Sequence, residues 1–284
     1  MSRARQRRAD LVGAAVELVR PGEPRTSGRT LARATRGAVV MTLVVANALG
    51  GCAVFAVLAF VAPLPEVEDA GHVRLVNFIA AGAFIVSAIP IGIAIGTRTM
   101  SRVRDWLESE RPPGPAECKL ALRAPRRLLW LQLWLWLAAA LTFGLINWNY
   151  SLELGWRVAL VVLQTGVVTA AIAYLLAERI LRGVAARALV SATPDQLRSR
   201  GIVARVLMAW AVGSGISGTT IAATGIFVLA GDDTTRHEMA MVMVVIGMAG
   251  VIVGLIAEGL AARATADPIN SVRKALARVQ AGEL

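Results

Sequence analysis

Charge is scarce in this sequence. Only 17% of its 284 residues are Asp, Glu, Lys or Arg, whereas 56% are hydrophobic. A soluble domain of this length carries about 25% charged residues, most of them on its surface. The shortage of charge therefore excludes an ordinary water-soluble fold and predicts an integral membrane protein.

Histidine and cysteine are also rare, with two of each. His72 and His237 have acidic neighbours but not the spacing of a metal-ligand set, so solvated loop residues are favoured over a cation or pH-sensing site. Cys52 lies inside an apolar block and Cys118 in a basic loop. A disulfide between them is not expected, because they lie at different depths and the loop faces a reducing compartment.

Catalytic motifs are missing as well. The sequence has no P-loop, no H-E-x-x-H, no nucleophile elbow and no clustered carboxylates inside its apolar blocks. Residues 213–218 read GSGISG, but they sit inside an apolar run, where small residues let helices approach closely in lipid. The chain is expected to hold no catalytic residue, metal or cofactor of its own.

Long apolar blocks are abundant. A helix of about 20 apolar residues crosses the hydrocarbon core of a bilayer, and six blocks reach that length. The predicted spans are 37–62, 74–97, 127–148, 156–178, 202–230 and 238–260. The sequence therefore predicts an all-α polytopic membrane protein whose six-helix bundle occupies residues 37–262.

Basic residues alternate with the spans and set the predicted orientation. Lys and Arg number nine in 1–36, eight in 98–127, six in 179–205 and four after the last span, which leaves Arg74, Arg157 and Arg236 on the other side. Basic loops stay in the cytoplasm, so both termini are expected there in a bacterial plasma membrane. Orientation and contact with anionic lipid headgroups then explain the positive charge, and nucleic acid is not an expected partner.

The basic N-terminal segment 1–36 contains one amphipathic stretch. Apolar residues in 9–20 fall on one helical stripe flanked by arginines, and Pro21 follows. This stretch is predicted to be a helix that lies on the inner membrane surface or packs under the bundle.

Two acids and a set of small residues are candidate functional positions within the spans. Glu178 and Glu258 lie at the inner ends of spans 4 and 6, where an ionisable side chain is either functional or neutralised by a nearby arginine. Small residues are predicted to pack helices closely and to favour a homodimer interface. They are Gly92, Gly96, Gly213, Ser217, Gly250 and Gly254.

The C-terminal segment 263–284 ends in the most specific pattern of the chain, DPINSVRKALARVQAGEL. Apolar residues are spaced three, four and three apart, as in a coiled-coil seam. Asp267 can cap the helix and Pro268 suits its first turn. The pattern consists of Pro268, Ile269, Val272, Leu276, Val279 and Gly282.

This segment resembles the first helix of a HAMP domain, the dimeric linker that follows the last membrane helix of many bacterial receptors. Six spans followed by such a helix resemble the membrane portion of the HAMP-linked class III adenylyl cyclases of mycobacteria and related actinobacteria. The resemblance implies a parallel homodimer and a downstream domain that makes cyclic AMP from ATP with two Mg²⁺ or Mn²⁺ ions. The connector and second HAMP helix do not follow, so the chain is expected to end inside that domain.

Three functions remain open at this point. A sensor would bind a lipophilic ligand or respond to the bilayer, because the outer loops are short, and it would pass a helix movement to the cyclase. A passive anchor would only localise and dimerise that domain. A HAMP-containing receptor or small transporter subunit unrelated to cyclases is the third, although transport is disfavoured by the lack of broken mid-membrane helices and paired buried charges.

Overall fold

The computed structural model describes residues 27–62, 65, 67–109, 111–189, 210, 214–215, 217–222, 239–256, 258–259 and 262. These residues are mainly helical and include no strand, which confirms the all-α prediction for this part of the chain. The chain divides into two units, Met1–Arg198 and Ser199–Leu284. The predicted amphipathic helix at 9–20 and the predicted HAMP helix lie outside the described residues.

The described part of the first unit contains four long helices and one short helix. They are α1 (Gly28–Phe60), α2 (Ala70–Ser109), α3 (Pro115–Trp148), α4 (Leu152–Ile180) and α5 (Arg182–Leu189). Five helices in the described ranges are long and apolar enough to cross a membrane: α1 to α4, and Met239–Ile256 in the second unit. The protein is therefore a membrane protein, while most of the predicted span 202–230 lies outside the described residues and the count of six stays a prediction.

The helices extend well beyond the predicted spans. α1 begins at Gly28, inside the predicted basic segment, because the Ser27 side chain accepts a hydrogen bond from the Thr30 N–H at 3.3 Å and caps the helix. α2 ends at Ser109, shortly before Pro112 and Pro113, because a proline disfavours the helical conformation in the residue before it. α3 already begins at Pro115, so the long inner connection predicted at 98–127 is mostly helix.

The short turn between α2 and α3 is held by side chains. The Glu117 carboxylate accepts a hydrogen bond from the Gly114 N–H at 2.6 Å and pairs with Arg111. Trp106 Nε1 donates to the Arg111 carbonyl at 2.9 Å. The Trp106 side chain is only 4% exposed, because it packs inside the turn.

Two apolar clusters stabilise the first unit at opposite ends. Each cluster contains residues from several helices. The first contains Leu31, Val103, Trp106, Cys118, Leu128, Ala177 and Val184, and the second contains Val54, Val73, Trp136, Ala140, Leu154 and Val158. The start of α1 thus meets the end of α2 and the start of α3, so α1 and α3 run parallel. We call this side, where most arginines of the unit lie, the basic end.

Glycines allow the closest contacts between helices. A Cβ added at Gly155 would lie 2.8 Å from both the Gly144 carbonyl oxygen and the Trp148 nitrogen, so α3 and α4 touch there through their backbones. A Cβ added at Gly166 would lie 2.5 Å from the Trp136 Cβ. Small residues thus pack helices as expected in lipid, but at positions that the sequence had not singled out.

Candidate functional site

Two asparagines join α2 to α3 near the end opposite the basic end. Asn77 Nδ2 donates to Asn147 Oδ1 at 2.9 Å, and Asn147 Nδ2 donates to Asn77 Oδ1 at 2.8 Å. Each Nδ2 also donates to the carbonyl four residues earlier, at Val73 and Phe143. Every donor of both amides is therefore satisfied although Asn147 is only 1% exposed. We call this arrangement the asparagine pair.

A third asparagine joins α1 to α3. Trp136 Nε1 donates to Asn47 Oδ1 at 3.0 Å, and Asn47 Nδ2 donates to the Leu43 carbonyl at 2.7 Å. Such a bond between polar side chains of two helices stabilises helix packing in lipid. Because α1 and α3 run parallel, this contact also places Asn47 and Trp136 at a similar depth in the bundle.

A cavity of about 1010 Å³ lies among α1, α2 and α3, with α4 contributing part of its wall. Ligand pockets in proteins measure roughly 300–1,000 Å³, so the cavity is large enough for a lipid-sized molecule. Most of its lining is aliphatic or aromatic. Representative residues are Val40, Val44, Phe84, Ile89, Leu135 and Ala139.

Two polar side chains in the cavity wall are buried without a hydrogen-bond partner in the described part of the chain. They are Thr35 on α1, 5% exposed, and Gln132 on α3, 4% exposed. The atoms without partners are the Thr35 Oγ1 and the Gln132 Nε2. An unsatisfied buried donor or acceptor costs about 1–3 kcal/mol, so each of these two atoms destabilises the bundle.

Neighbouring residues show how such groups are usually satisfied. The hydroxyls of Thr142 and Thr169 donate to carbonyls four residues earlier at 2.8 Å. The amides of Asn47 and Asn149 do the same with their own helices. Thr35 and the longer Gln132 side chain depart from this pattern and line the cavity instead.

Positive charge lies at the basic end of the cavity. Arg36, directly after Thr35, lines the cavity and is exposed. Arg104 lines it as well and pairs with Asp105 at 2.8 Å and with Glu108 at 3.9 Å. The hydrogen bond to Asp105 raises the pKa of the Arg104 guanidinium. An anionic group fits this end of the cavity better than a cation.

The predicted membrane-edge acids lie elsewhere. Glu178 is half-buried near the end of α4, interacts with another residue and does not line the cavity. Glu258 is exposed in the second unit. The predicted signal-coupling residues Pro268, Ile269, Val272, Leu276, Val279 and Gly282 lie outside the described residues.

The predicted packing residues are in varied surroundings. A Cβ added at Gly92 would meet Leu135 Cδ1 at 3.4 Å, and one at Gly96 would meet nothing within 4 Å. Gly250 and Gly254 are buried on the Met239–Ile256 helix, and Ser217 is half-buried in the same unit. Gly213 lies outside the described residues.

His72 makes contacts that stabilise the start of α2. Its backbone N–H donates to Asp69 Oδ1 at 2.9 Å at the start of α2, and its ring stands edge-on to Tyr150 with centroids 6.2 Å apart. No group of three His, Cys, Asp or Glu that could hold a metal occurs among the described residues. His237 lies outside them.

Sequence reasoning missed Thr35, Gln132 and the cavity. The available signal was a lone Gln in the apolar block 127–148, whose side chain needs a partner in lipid. Thr35 carried no signal, because it precedes the predicted first span and reads as part of a basic segment.

Comparison with known proteins gives related chains but no family name. No family model matches the chain. No solved structure matches it. One uncharacterized protein of Mycobacterium tuberculosis is 34% identical over 259 residues, which cover 88% of this chain and 44% of the relative. A second is 31% identical over 252 residues, 87% of this chain and 46% of the relative.

Mycobacterium bovis has a further uncharacterized relative, 31% identical over 247 residues. That match covers 85% of this chain and 44% of the relative. The chain thus spans less than half the length of the curated relatives it matches, and its similarity to these mycobacterial proteins extends over most of its own length.

Proposed function

We propose that this chain is the membrane sensor and signal-coupling part of a class III adenylyl cyclase. Its membrane bundle would bind a lipophilic ligand from the bilayer and control a cyclase domain that follows the HAMP helix. The protein would be a homodimer in the bacterial plasma membrane with both termini in the cytoplasm. The observation that carries the proposal is the 1010 Å³ apolar cavity whose wall holds two buried, unsatisfied polar groups.

The position of the cavity suits a signalling role. Its wall is shared by α1, α2 and α3, and the basic ends of the same helices meet in one apolar cluster. A ligand that contacts all three helices can favour one packing of the bundle over another. Shifts of about 1–2 Å between packed helices are a common form of such switching.

The relatives support a longer protein. Each match covers less than half of the relative, so these proteins contain a comparable length of chain in addition to the matched part. The HAMP-like pattern after Asp267 supports a dimeric linker to such a part. Mg²⁺ or Mn²⁺ would belong to the cyclase domain and not to this bundle.

A chimera tests the proposal. Residues 1–284 are joined to the HAMP connector, second HAMP helix and catalytic domain of a class III adenylyl cyclase, and cyclic AMP production in vesicles is compared with that of the same catalytic domain on an unrelated dimeric membrane anchor. We expect a lipid extract of mycobacterial membranes to change the output of the chimera and not that of the anchored control. Ala88→Phe, which fills part of the cavity, should abolish that response, whereas Ala83→Phe on the exposed face of the same helix should preserve it.

The possible failures separate the alternatives. An identical response of chimera and anchored control would leave only a passive anchor. An inactive chimera beside an active control would argue against coupling to a cyclase. A kinase domain encoded after Leu284 would move the assignment to a different class of receptor.

A further inference from the structure

We infer that the outer surface of α3 at the basic end binds one anionic glycerophospholipid, with the phosphate at Arg126 and Arg127 and the glycerol ester carbonyls at Trp130 and Trp134. We call these four residues the arginine–tryptophan face. None of them lines the cavity. The inference therefore goes beyond the proposed function and does not rest on it.

The arginine–tryptophan face is a continuous strip on one side of α3. At 3.6 residues per turn, its four residues fall within about 100° around the helix axis. All four are exposed, and the exposed fractions are 57% for Trp130 and 64% for Trp134. The buried Ala139 lies on the opposite side of the helix. The strip is therefore turned away from the bundle, toward lipid and headgroups.

The positive charge of this face is not neutralised within the described part of the chain. Arg126 and Arg127 form no ion pair or hydrogen bond with its residues. The only acid of α3, Glu117, already pairs with Arg111. A guanidinium presents a planar set of donors that matches the oxygens of a phosphate. A lipid with a net negative headgroup is therefore favoured over a zwitterionic lipid at this position.

The two indoles lie below the arginines, where the ester groups of a lipid are found. Trp130 and Trp134 follow Arg126 by four and eight residues, or about 6 and 12 Å along the axis at 1.5 Å per residue. Helical side chains lean toward the N-terminus, and α3 begins at the basic end, so both rings lean back toward the headgroups.

The indole N–H groups give the lipid its second contact. Neither Trp130 nor Trp134 has a hydrogen-bond partner among the described residues. A tryptophan N–H usually finds an acceptor when its ring lies in an apolar environment. The ester carbonyls of a glycerophospholipid supply such acceptors directly below the phosphate, and the acyl chains can then pack on the exposed Leu141 and Leu145 of the same side.

Other exposed positions carry only half of this arrangement and serve as controls. Trp148 is 57% exposed at the other end of α3, which has no Lys or Arg after Arg127. Arg98 and Arg102 are exposed on α2 at the basic end. One turn further into the span, Arg98 is followed by Ala94 and not by an aromatic ring.

Native mass spectrometry of the full chain in detergent micelles measures the binding of single lipids. The chain is titrated with phosphatidylglycerol and, as the matched zwitterionic lipid, with phosphatidylcholine that has the same acyl chains. We expect the first phosphatidylglycerol to bind about tenfold more tightly than the first phosphatidylcholine.

Two double variants test the charge contact. Arg126→Gln with Arg127→Gln should weaken phosphatidylglycerol binding about tenfold and leave phosphatidylcholine within about twofold, because only the anionic headgroup loses its partners. Arg98→Gln with Arg102→Gln removes the same charge from α2. It should change both affinities by less than about twofold.

A third double variant tests the indole contact. Trp130→Phe with Trp134→Phe should weaken both lipids about threefold and keep the preference, because the two lipids share the ester carbonyls. Trp148→Phe should leave both affinities unchanged. The substituted side chains are exposed, so all variants should keep the circular dichroism spectrum and the unfolding temperature of the parent chain without added lipid.

Three results would overturn the inference. They are equal affinity of the parent chain for the two lipids, an unchanged phosphatidylglycerol affinity in the Arg126 and Arg127 variant, and equal losses in the two double arginine variants, which would mean attraction by net charge alone. Unchanged affinities in the Trp130 and Trp134 variant would overturn the ester contact. The response of the cyclase chimera is measured separately, so it tests the proposed function independently of these outcomes.

Discussion

Buried amides in this bundle have two different consequences. In the asparagine pair and at Asn47, each amide Nδ2 has an acceptor and each amide oxygen accepts a hydrogen bond from another helix, so these residues connect helices. The Gln132 Nε2 lies equally deep without an acceptor among the described residues. Whether a buried amide stabilises the bundle depends on its hydrogen-bond partner and not on the residue type, because an amide without a partner is destabilising.

Removing both members of the asparagine pair should cost less than the sum of the costs of removing each one alone. Asn147→Leu leaves the Asn77 amide without its partner across the helices, and we expect it to lower the free energy of unfolding by about 1–2 kcal/mol. The double variant Asn77→Leu with Asn147→Leu should be less destabilised than the sum of the two single variants. Unfolding by SDS titration in mixed micelles, followed by circular dichroism, measures all four proteins.

Asn149→Leu is the matched control for this cycle, because the Asn149 amide donates only to carbonyls of its own helix. It should not couple energetically to Asn77. Strict additivity of the Asn77 and Asn147 single variants would show that the asparagine pair does not hold α2 to α3.

At the scale of helices, the sequence predicted which segments are apolar and long enough to cross the membrane. Length and apolar content located α1 to α4. Hydropathy marks the part of a helix that crosses lipid and not the helix end, so the polar extensions of α1 and α3 were missed. The charged residues within 98–127, such as Arg123 and Arg126, led this range to be interpreted as a basic loop.

Tertiary contacts decided what the sequence could not. Trp106 and Trp130 look alike in sequence near the basic end, yet Trp106 is buried and Trp130 is 57% exposed, because the turn at 111–114 folds back over only the first. Likewise, Gly155 lies against the backbone of a neighbouring helix, whereas a Cβ added at Gly96 would meet nothing within 4 Å. Neither the burial of Trp106 nor the close contact at Gly155 produces a periodic pattern that can be recognised in a single sequence.

Gly155→Ala should separate α3 from α4. The added methyl would meet the Gly144 carbonyl and the Trp148 backbone, which cannot move aside as a flexible side chain could. We expect a loss of about 1–3 kcal/mol in the free energy of unfolding, typical of overpacking. Thermal unfolding in detergent micelles provides the measurement.

Gly82→Ala is the control, since a Cβ there meets nothing within 4 Å and alanine favours helix by about 1 kcal/mol over glycine. It should leave stability unchanged or raise it. Equal effects of the two variants would mean that α3 and α4 do not need the glycine contact.

The first unit as a whole has two unlike ends. Arginines gather where α1 and α3 begin, while the acids Glu68, Asp69 and Glu153 lie at the other end. Sequence charge was enough to predict this asymmetry, but it could not predict the cavity between the ends. A cavity exists where three helices fail to fill the space between them, and that depends on their separations rather than on any one helix.

Single cysteines at the two ends should show which side is cytoplasmic. In a chain carrying Cys52→Ala and Cys118→Ala, we expect a membrane-impermeant maleimide to label Glu68→Cys in intact cells and Ala116→Cys only after permeabilisation, because basic segments stay inside. Both positions are exposed and lie outside the turn contacts of Glu117. The chain without cysteines measures background labelling, and the reverse pattern would contradict the orientation.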